Sequence, residues 1–258
     1  MPRNLLVAAP IKAFASLCVC ASLALTADPV PQPWTRSLFD LPPYTAGVDS
    51  AVLYISRPSL FIDSAFPPPT QIGPGRFTAT YSVVSGVQQS VKADKYKGLR
   101  VRWSAYLRTE RVRSVWASAH ERANLPPLPS ETWIDPKVSP GTGLYVFVDS
   151  RDKTLLYAMM RDRIQGTNDW TKVEMVFDVP PQSTVISLGF FLAGEGRVWA
   201  NGFRLEQVDQ SIETTLSRDL DLTETQIYED TFAKHKKRLK QYSNLADAPI
   251  FELKKQRK

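Results

Sequence analysis

The stretch from Gly166 to Val208 limits the fold more than any other, because it reads as three β-strands in direct succession. Val173, Met175, Phe177 and Val179 alternate with Glu174 and Asp178, the period of two that places apolar side chains on one face of a strand. Pro180-Pro181-Gln182-Ser183 makes the first turn. Gly194-Glu195-Gly196 makes the second, where two glycines permit positive φ and a tight hairpin into Arg197-Val198-Trp199. Three consecutive antiparallel strands predict an all-β core.

The chain has 258 residues, 43% apolar and 22% charged, enough for one β-sandwich with extensions. At its start, Arg3 and Lys12 precede an uncharged apolar run from Phe14 to Ala27, followed at once by Asp28-Pro29-Val30-Pro31. That order predicts a cleaved secretory signal over residues 1–27, and hence a secreted or periplasmic protein. A run of 14 residues is too short to span a bilayer comfortably. Both cysteines, Cys18 and Cys20, fall inside it, so the mature chain would hold no disulfide, thiolate nucleophile or cysteine metal site. Leu17-Cys18-Val19-Cys20 also allows a lipid-modified cysteine, although Val19 is bulky for the residue before such a cut.

Residues 28–43 are proline-punctuated and read as an extended linker. The domain proper is expected over 44–210, with early strands near Tyr44–Asp49, Ala51–Ile55 and Leu60–Ile62 and another from Phe77 to Val84. The clearest alternation runs from Gly98 to Arg108: Leu99, Val101, Trp103, Ala105 and Leu107 on one face, Arg100, Arg102, Ser104, Tyr106 and Arg108 on the other. A long stretch without regular period, Ser118 to Gly143, interrupts the strands. Gly143–Asp149 resumes them, Ser150-Arg151-Asp152-Lys153 turns, and Thr154–Met160 returns as a hairpin partner.

Beyond Val208 the pattern changes to that of a helix over 222–243. Thr223 and Gln226 have capping-box spacing, and Tyr228, Phe232, His235, Leu239 and Tyr242 share one face. A basic tail, 244–258, follows. From Lys234 to Lys258 nine Lys/Arg stand against Asp247 and Glu252, whereas residues 28–233 carry a net −3, so the overall +6 belongs to the C-terminal region.

The order of motifs Tyr44-Thr45-Ala46-Gly47-Val48-Asp49, Lys92–Arg102, Gly166-Thr167-Asn168-Asp169-Trp170 and Gly196-Arg197-Val198-Trp199 resembles the galactose-binding-like jelly-roll β-sandwiches of bacteria. The resemblance covers roughly residues 44 to 208 and implies that fold, here with a C-terminal α-helix added. Such domains serve as carbohydrate-binding modules and as accessory domains of larger proteins. The chain departs from them at Asn201 and Gly202, where relatives carry acidic residues, at Ala158 and Met159 in the hairpin strand, and in the Ser118–Gly143 insertion.

Catalytic machinery is sparse. His120 sits in the long loop without a nucleophile elbow around Ser118 or Ser130, and His235 lies on the apolar stripe of the helix. Asp149 and Asp152 flank a turn, where aspartate commonly bonds local backbone. There is no Gly-rich phosphate loop, HExxH or EF-hand pattern, and a structural calcium held by oxygen ligands is the one metal the residues leave open. Trp103, Trp170 and Trp199 are expected in the core. The ligand-binding set is Arg102, Tyr106, Trp116, Trp133, Tyr145 and Phe147, because sugar C–H faces pack on aromatic rings while hydroxyls seek polar partners. These readings favour a non-catalytic exported module for a carbohydrate or cell-envelope glycan. The alternative is an assembly protein that contacts another protein, or its own copy, through the sandwich and the helix. Export argues against nucleic acid as a partner.

Overall fold

The computed structural model describes residues 30–36, 44–64, 70–73, 76–78, 84–114, 140–215 and 244–251. Its regular elements are strands: β1 (Thr35–Arg36), β2 (Tyr44–Tyr54), β3 (Arg57–Ser64), β4 (Thr70–Gly73), β5 (Arg76–Thr78), β6 (Val84–Lys92), β7 (Arg100–Arg113), β8 (Gly141–Asp149), β9 (Thr154–Met159), β10 (Gly166–Asp178), β11 (Val185–Ala193) and β12 (Glu195–Gln207). Two five-stranded sheets, β1-β6-β11-β8-β9 and β10-β7-β12-β3-β2, form a sandwich, and β4-β5 is a separate pair. The signal expected over 1–27, the helix over 222–243 and most of the long loop lie outside the described residues.

The three strands of the 166–208 stretch are present, but they are not neighbours. β10 pairs with β7, β11 with β6 and β8, and β12 with β3 and β7. The chain therefore crosses between sheets at both turns, where a hairpin was expected at the second. Alternation with turn residues reads alike in a hairpin and in a crossover. What the second turn does demand is glycine: Gly194 has φ +94°, and a Cβ there would fall 2.3 Å from the Arg113 carbonyl oxygen. Connections between β6 and β12 change sheet at every step except the β8–β9 hairpin, which is jelly-roll winding.

The alternation in β7 resolves as expected. Val101, Trp103, Ala105 and Leu107 point between the sheets, together with Val173, Met175 and Phe177 of β10 and Ile186, Leu188, Phe190 and Leu192 of β11. β8 and β11 are buried along their whole length, on both faces. The edge strand β10 is covered by the chain that follows β12: Val176 donates to Thr215 Oγ1 at 2.9 Å and accepts from the Thr215 N–H at 3.0 Å. Arg100 clamps that crossing, bonding both Asp178 carboxylate oxygens and, at 2.6 Å each, the carbonyls of Gln210 and Ile212.

Both flanking segments belong to the sandwich. Trp34, from the stretch read as a linker, is buried 4.6 Å from Phe203, and β1 pairs with β6. Within the stretch read as a tail, Ala246 bridges Val91 in parallel and Ile250 exchanges main-chain hydrogen bonds with the Gln89 side chain. Phe251 then packs 5.7 Å from the Trp103 ring. At the other end of β8, the Asp149–Thr154 turn is held by Ser150, whose hydroxyl bonds Lys153 twice, and Asp149 accepts from Thr154 Oγ1 at 2.7 Å.

The β2–β3 hairpin closes with Tyr54 opposite Arg57, leaving the two-residue loop Ile55-Ser56 with φ +46° and +62°. That is a type I′ turn, which favours Asn-Gly, and a β-branched residue there is strained. Ile55→Asn with Ser56→Gly is expected to raise stability by about 1–2 kcal/mol, read as a higher midpoint in chemical denaturation. A lower midpoint would contradict the strain argument.

Candidate functional site

The six residues of the expected ligand set do not form one groove. Arg102 and Tyr106 lie on the outer face of the β7 sheet, and Tyr145 and Phe147 on the outer face of the β8 sheet, on the far side of the sandwich. Trp116 and Trp133 lie outside the described residues.

Tyr145 and Phe147 point away from the inter-sheet core, as their alternation with Leu144, Val146 and Val148 requires, but they are only 3% and 2% exposed. The Tyr145 ring lies flat on β11, where a Cβ at Gly189 would fall 2.4 Å from it, and its hydroxyl meets Gln88 Oε1 at 3.0 Å. Phe147 stacks on Tyr157 at 4.7 Å. With Val84, Gly86, Met159 and Phe191 these rings line a recess with room for about one water molecule. They are packing side chains, and the groove foreseen there is not open to a sugar ring. Period two distinguishes the faces of a strand; it does not tell whether a face is covered.

Among the described residues, the accessible aromatic surface is on the other sheet. Tyr54, at the tip of β2, stacks on Tyr106 of β7 at 4.6 Å, and Trp170 of β10 meets Tyr54 edge-on at 5.1 Å. All three are partly exposed. Their seat is a bulge in β12 between Asn201 and Arg204. Gly202, φ +62°, lies directly beneath, and a Cβ there would fall 3.0 Å from both tyrosine rings. Asn201 fixes the bulge: its amide donates to the Arg57 and Pro58 carbonyls and to Ser59 Oγ, and its Oδ1 accepts from the Gly202 N–H. Asparagine at 201 and glycine at 202 thus each have a local reason. The Asn201 amide bonds carbonyls of the neighbouring strand, and only glycine leaves room for the rings.

Polar side chains ring this platform. Lys172 pairs with Glu174 at 2.8 Å, and Arg102 Nε stands 3.7 Å from the same carboxylate, buried and without a hydrogen-bond acceptor among the described residues. The Lys172 hydrogen bond holds the Glu174 carboxyl below its ordinary value. Loss of water contact, then the hydrogen bond and charge of Tyr106, push the Tyr54 phenol up to about 12, while Arg204 draws it down. Arg204 stands opposite Ser104 on the neighbouring strand, between the levels of Arg102 and Tyr106.

Of the three tryptophans expected in the core, Trp103 is there. Trp170 is not, since it forms part of the platform. Trp199 is buried, but on the outer face, between Arg108 and Arg197 at 5.7 and 5.5 Å, with its N–H on Asp49 Oδ2. Tyr54 and Trp170 escaped the reading of the sequence for different reasons. Tyr54 sits in an apolar run whose turn carries no glycine, and Trp170, within the register shift between Asn168 and Thr171, falls on the outward face with Lys172 and Glu174, where its bulk alone suggested core. Among the described residues no three His, Cys, Asp or Glu side chains come together as metal ligands.

No protein-family profile matches the chain. Over 131 residues it is 32% identical to the uncharacterised HTH-type transcriptional regulator YbfP of Bacillus subtilis (strain 168), a match covering 50% of this chain and 36% of that protein. The chain thus spans only about a third of the length of this curated relative. Among solved structures it is similar to the CBM22-1 xylan-binding domain of Paenibacillus barcinonensis Xyn10C, at 14% identity over 71% of this chain and 91% of that one, with TM-score 0.40. It is also similar to the C-terminal family 22 carbohydrate-binding module of Clostridium thermocellum Xyn10B, at 13% identity over 70% and 88%, TM-score 0.41. A third is TmCBM61 in complex with β-1,4-galactotriose, at 10% identity over 69% and 90%, TM-score 0.37.

Proposed function

We propose that the protein is an exported, non-catalytic module that binds a carbohydrate on the Tyr54–Tyr106–Trp170 platform. The observation that carries this reading is an accessible aromatic surface on a rigid sheet, held by Gly202 and the Asn201 bulge and edged by Arg102, Lys172, Glu174 and Arg204. Aromatic faces supply apolar contact to sugar C–H groups, and the charged rim supplies partners for hydroxyls. Preorganisation matters because side chains already held in place lose little entropy on binding.

The test is affinity electrophoresis against a panel of soluble polysaccharides, with Tyr106→Ala/Trp170→Ala beside the wild type and circular dichroism to confirm that both fold. Loss of two ring contacts at about 1 kcal/mol each is expected to weaken binding about thirtyfold. Unchanged binding in the double variant, or no binding of any polysaccharide by the wild type, would refute the proposal.

One observation favours the second reading, contact with another protein. Ile55 and Leu53, beside Tyr54, are 78% and 48% exposed. Exposed aliphatic groups next to aromatic rings are usual at protein interfaces. The same panel separates the readings, because an Ile55→Asn variant would keep its polysaccharide binding if the platform is a sugar site.

A further inference from the structure

The rim of the platform holds guanidinium groups whose hydrogen-bonding capacity the described residues do not meet. Arg102 Nε is buried with no acceptor among the described residues, and its approach to Glu174, at 3.7 Å, is too long for a hydrogen bond. Glu174 itself is taken by Lys172. Arg204, exposed opposite Ser104 on β12, holds no ion pair with a described residue, and Arg108, exposed two residues beyond Tyr106 on the same face of β7, has among the described residues its contact over Trp199. Of the other carboxylates nearby, Asp169 accepts from the Trp170 N–H, Asp49 accepts from the Trp199 N–H, Glu110 pairs with Arg111, and Glu206 is exposed at the margin opposite Arg102. Arg102, Tyr106 and Arg108 stand in line along one strand, with Arg204 beside them on the next.

Resting on the glycan reading, we infer that the ligand is an acidic polysaccharide, with a sugar ring on the Tyr54–Tyr106–Trp170 platform and carboxylates of that ring and its neighbours met by Arg204, Arg102 and Arg108. An exposed arginine alone is a solvated surface group. Here a buried N–H without an acceptor lies within a line of guanidiniums flanking the aromatic stack, and a guanidinium fork matches a carboxylate in two parallel hydrogen bonds. From Arg102 to Arg108 the line is about 20 Å long at 3.4 Å per residue, the reach of an oligosaccharide rather than a single sugar. A neutral chain offers these donors hydroxyl oxygens but no charge-assisted pair, which is the stronger of the two.

The experiment titrates the full chain with polygalacturonate, with the same polymer fully methyl-esterified, and with neutral β-1,4-galactan and xylan. Polygalacturonate is expected to bind at least tenfold more tightly than its ester, with the difference shrinking as salt is raised from 20 to 500 mM and at least halved in Arg204→Ala. Equal affinity for acid and ester, or an acid preference unchanged in Arg204→Ala, overturns the inference. Binding to neutral galactan or xylan alone overturns it while leaving the platform a glycan site. Binding to none of the four removes the reading on which it rests.

Discussion

Replacing Trp34 by alanine is expected to lower the unfolding free energy by about 3 kcal/mol. The indole is 1% exposed and forms one end of an aromatic row in which Phe203 stacks nearly parallel on Trp103, 5.6 Å away, with Phe251 against both. Truncation leaves a cavity between the sheets that fixed strands on either side cannot close. The loss stands at the lower end for a buried tryptophan because its N–H has no acceptor among the described residues and its removal uncovers no partner there. Guanidinium unfolding followed by fluorescence measures it. A change below about 1 kcal/mol would mean that residues 30–36 add little to the sandwich, as the linker reading held.

The second large effect depends on pH. Asp149 is 8% exposed, and burial pushes its carboxyl up to about 6, the Thr154 hydrogen bond opposing. In the unfolded chain an aspartate titrates near 3.9. Below that both states hold the proton and the group contributes nothing to pH dependence. Between about 4 and 6 the folded state keeps a proton that the unfolded state has released, so stability falls as pH rises, by about 3 kcal/mol in total, and then levels off. Glu174 and Asp178, whose carboxyls are held low by Lys172 and Arg100, act in the opposite direction, but they are exposed and water screens them. Asp149→Asn isolates the buried group: the variant is expected to lose most of the decline between pH 4 and 7, and equal slopes in the two proteins would contradict the assignment.

Much of the sandwich was legible because strands advertise themselves by period. The β7 alternation identified Val101, Trp103, Ala105 and Leu107 as core, and the β8–β9 hairpin followed from its turn. Which strand pairs with which was not legible, since a turn such as Gly194 serves a crossover as well as a hairpin. Half of the described candidate site was visible for the same reason. Arg102 and Tyr106 fall on the outward face of a strand whose other face is plainly apolar, and they stay accessible. Tyr145 and Phe147 obey the same rule and are nevertheless covered, because coverage depends on residues distant in sequence, such as Gly189, Phe191 and Tyr157. Trp34 was hidden by its proline-punctuated surroundings, which resemble a linker until the strand it pairs with is known.

The edge of β6 has a consequence for how the molecule is made. It receives β1 from one direction and, four residues from the Arg36 pairing, Ala246 from the other, 155 residues further along the chain than its partner Val91. Contacts of such long range make folding slow, and those with Phe251 can form only after nearly the whole described sequence exists. Until then a growing chain carries β6 with part of its edge open and one side of Trp103 uncovered, the kind of surface that joins to other chains. Residues 244–251 act in this sense as a closing stitch, and the interval before they arrive is when the protein is most exposed to self-association and most in need of a chaperone.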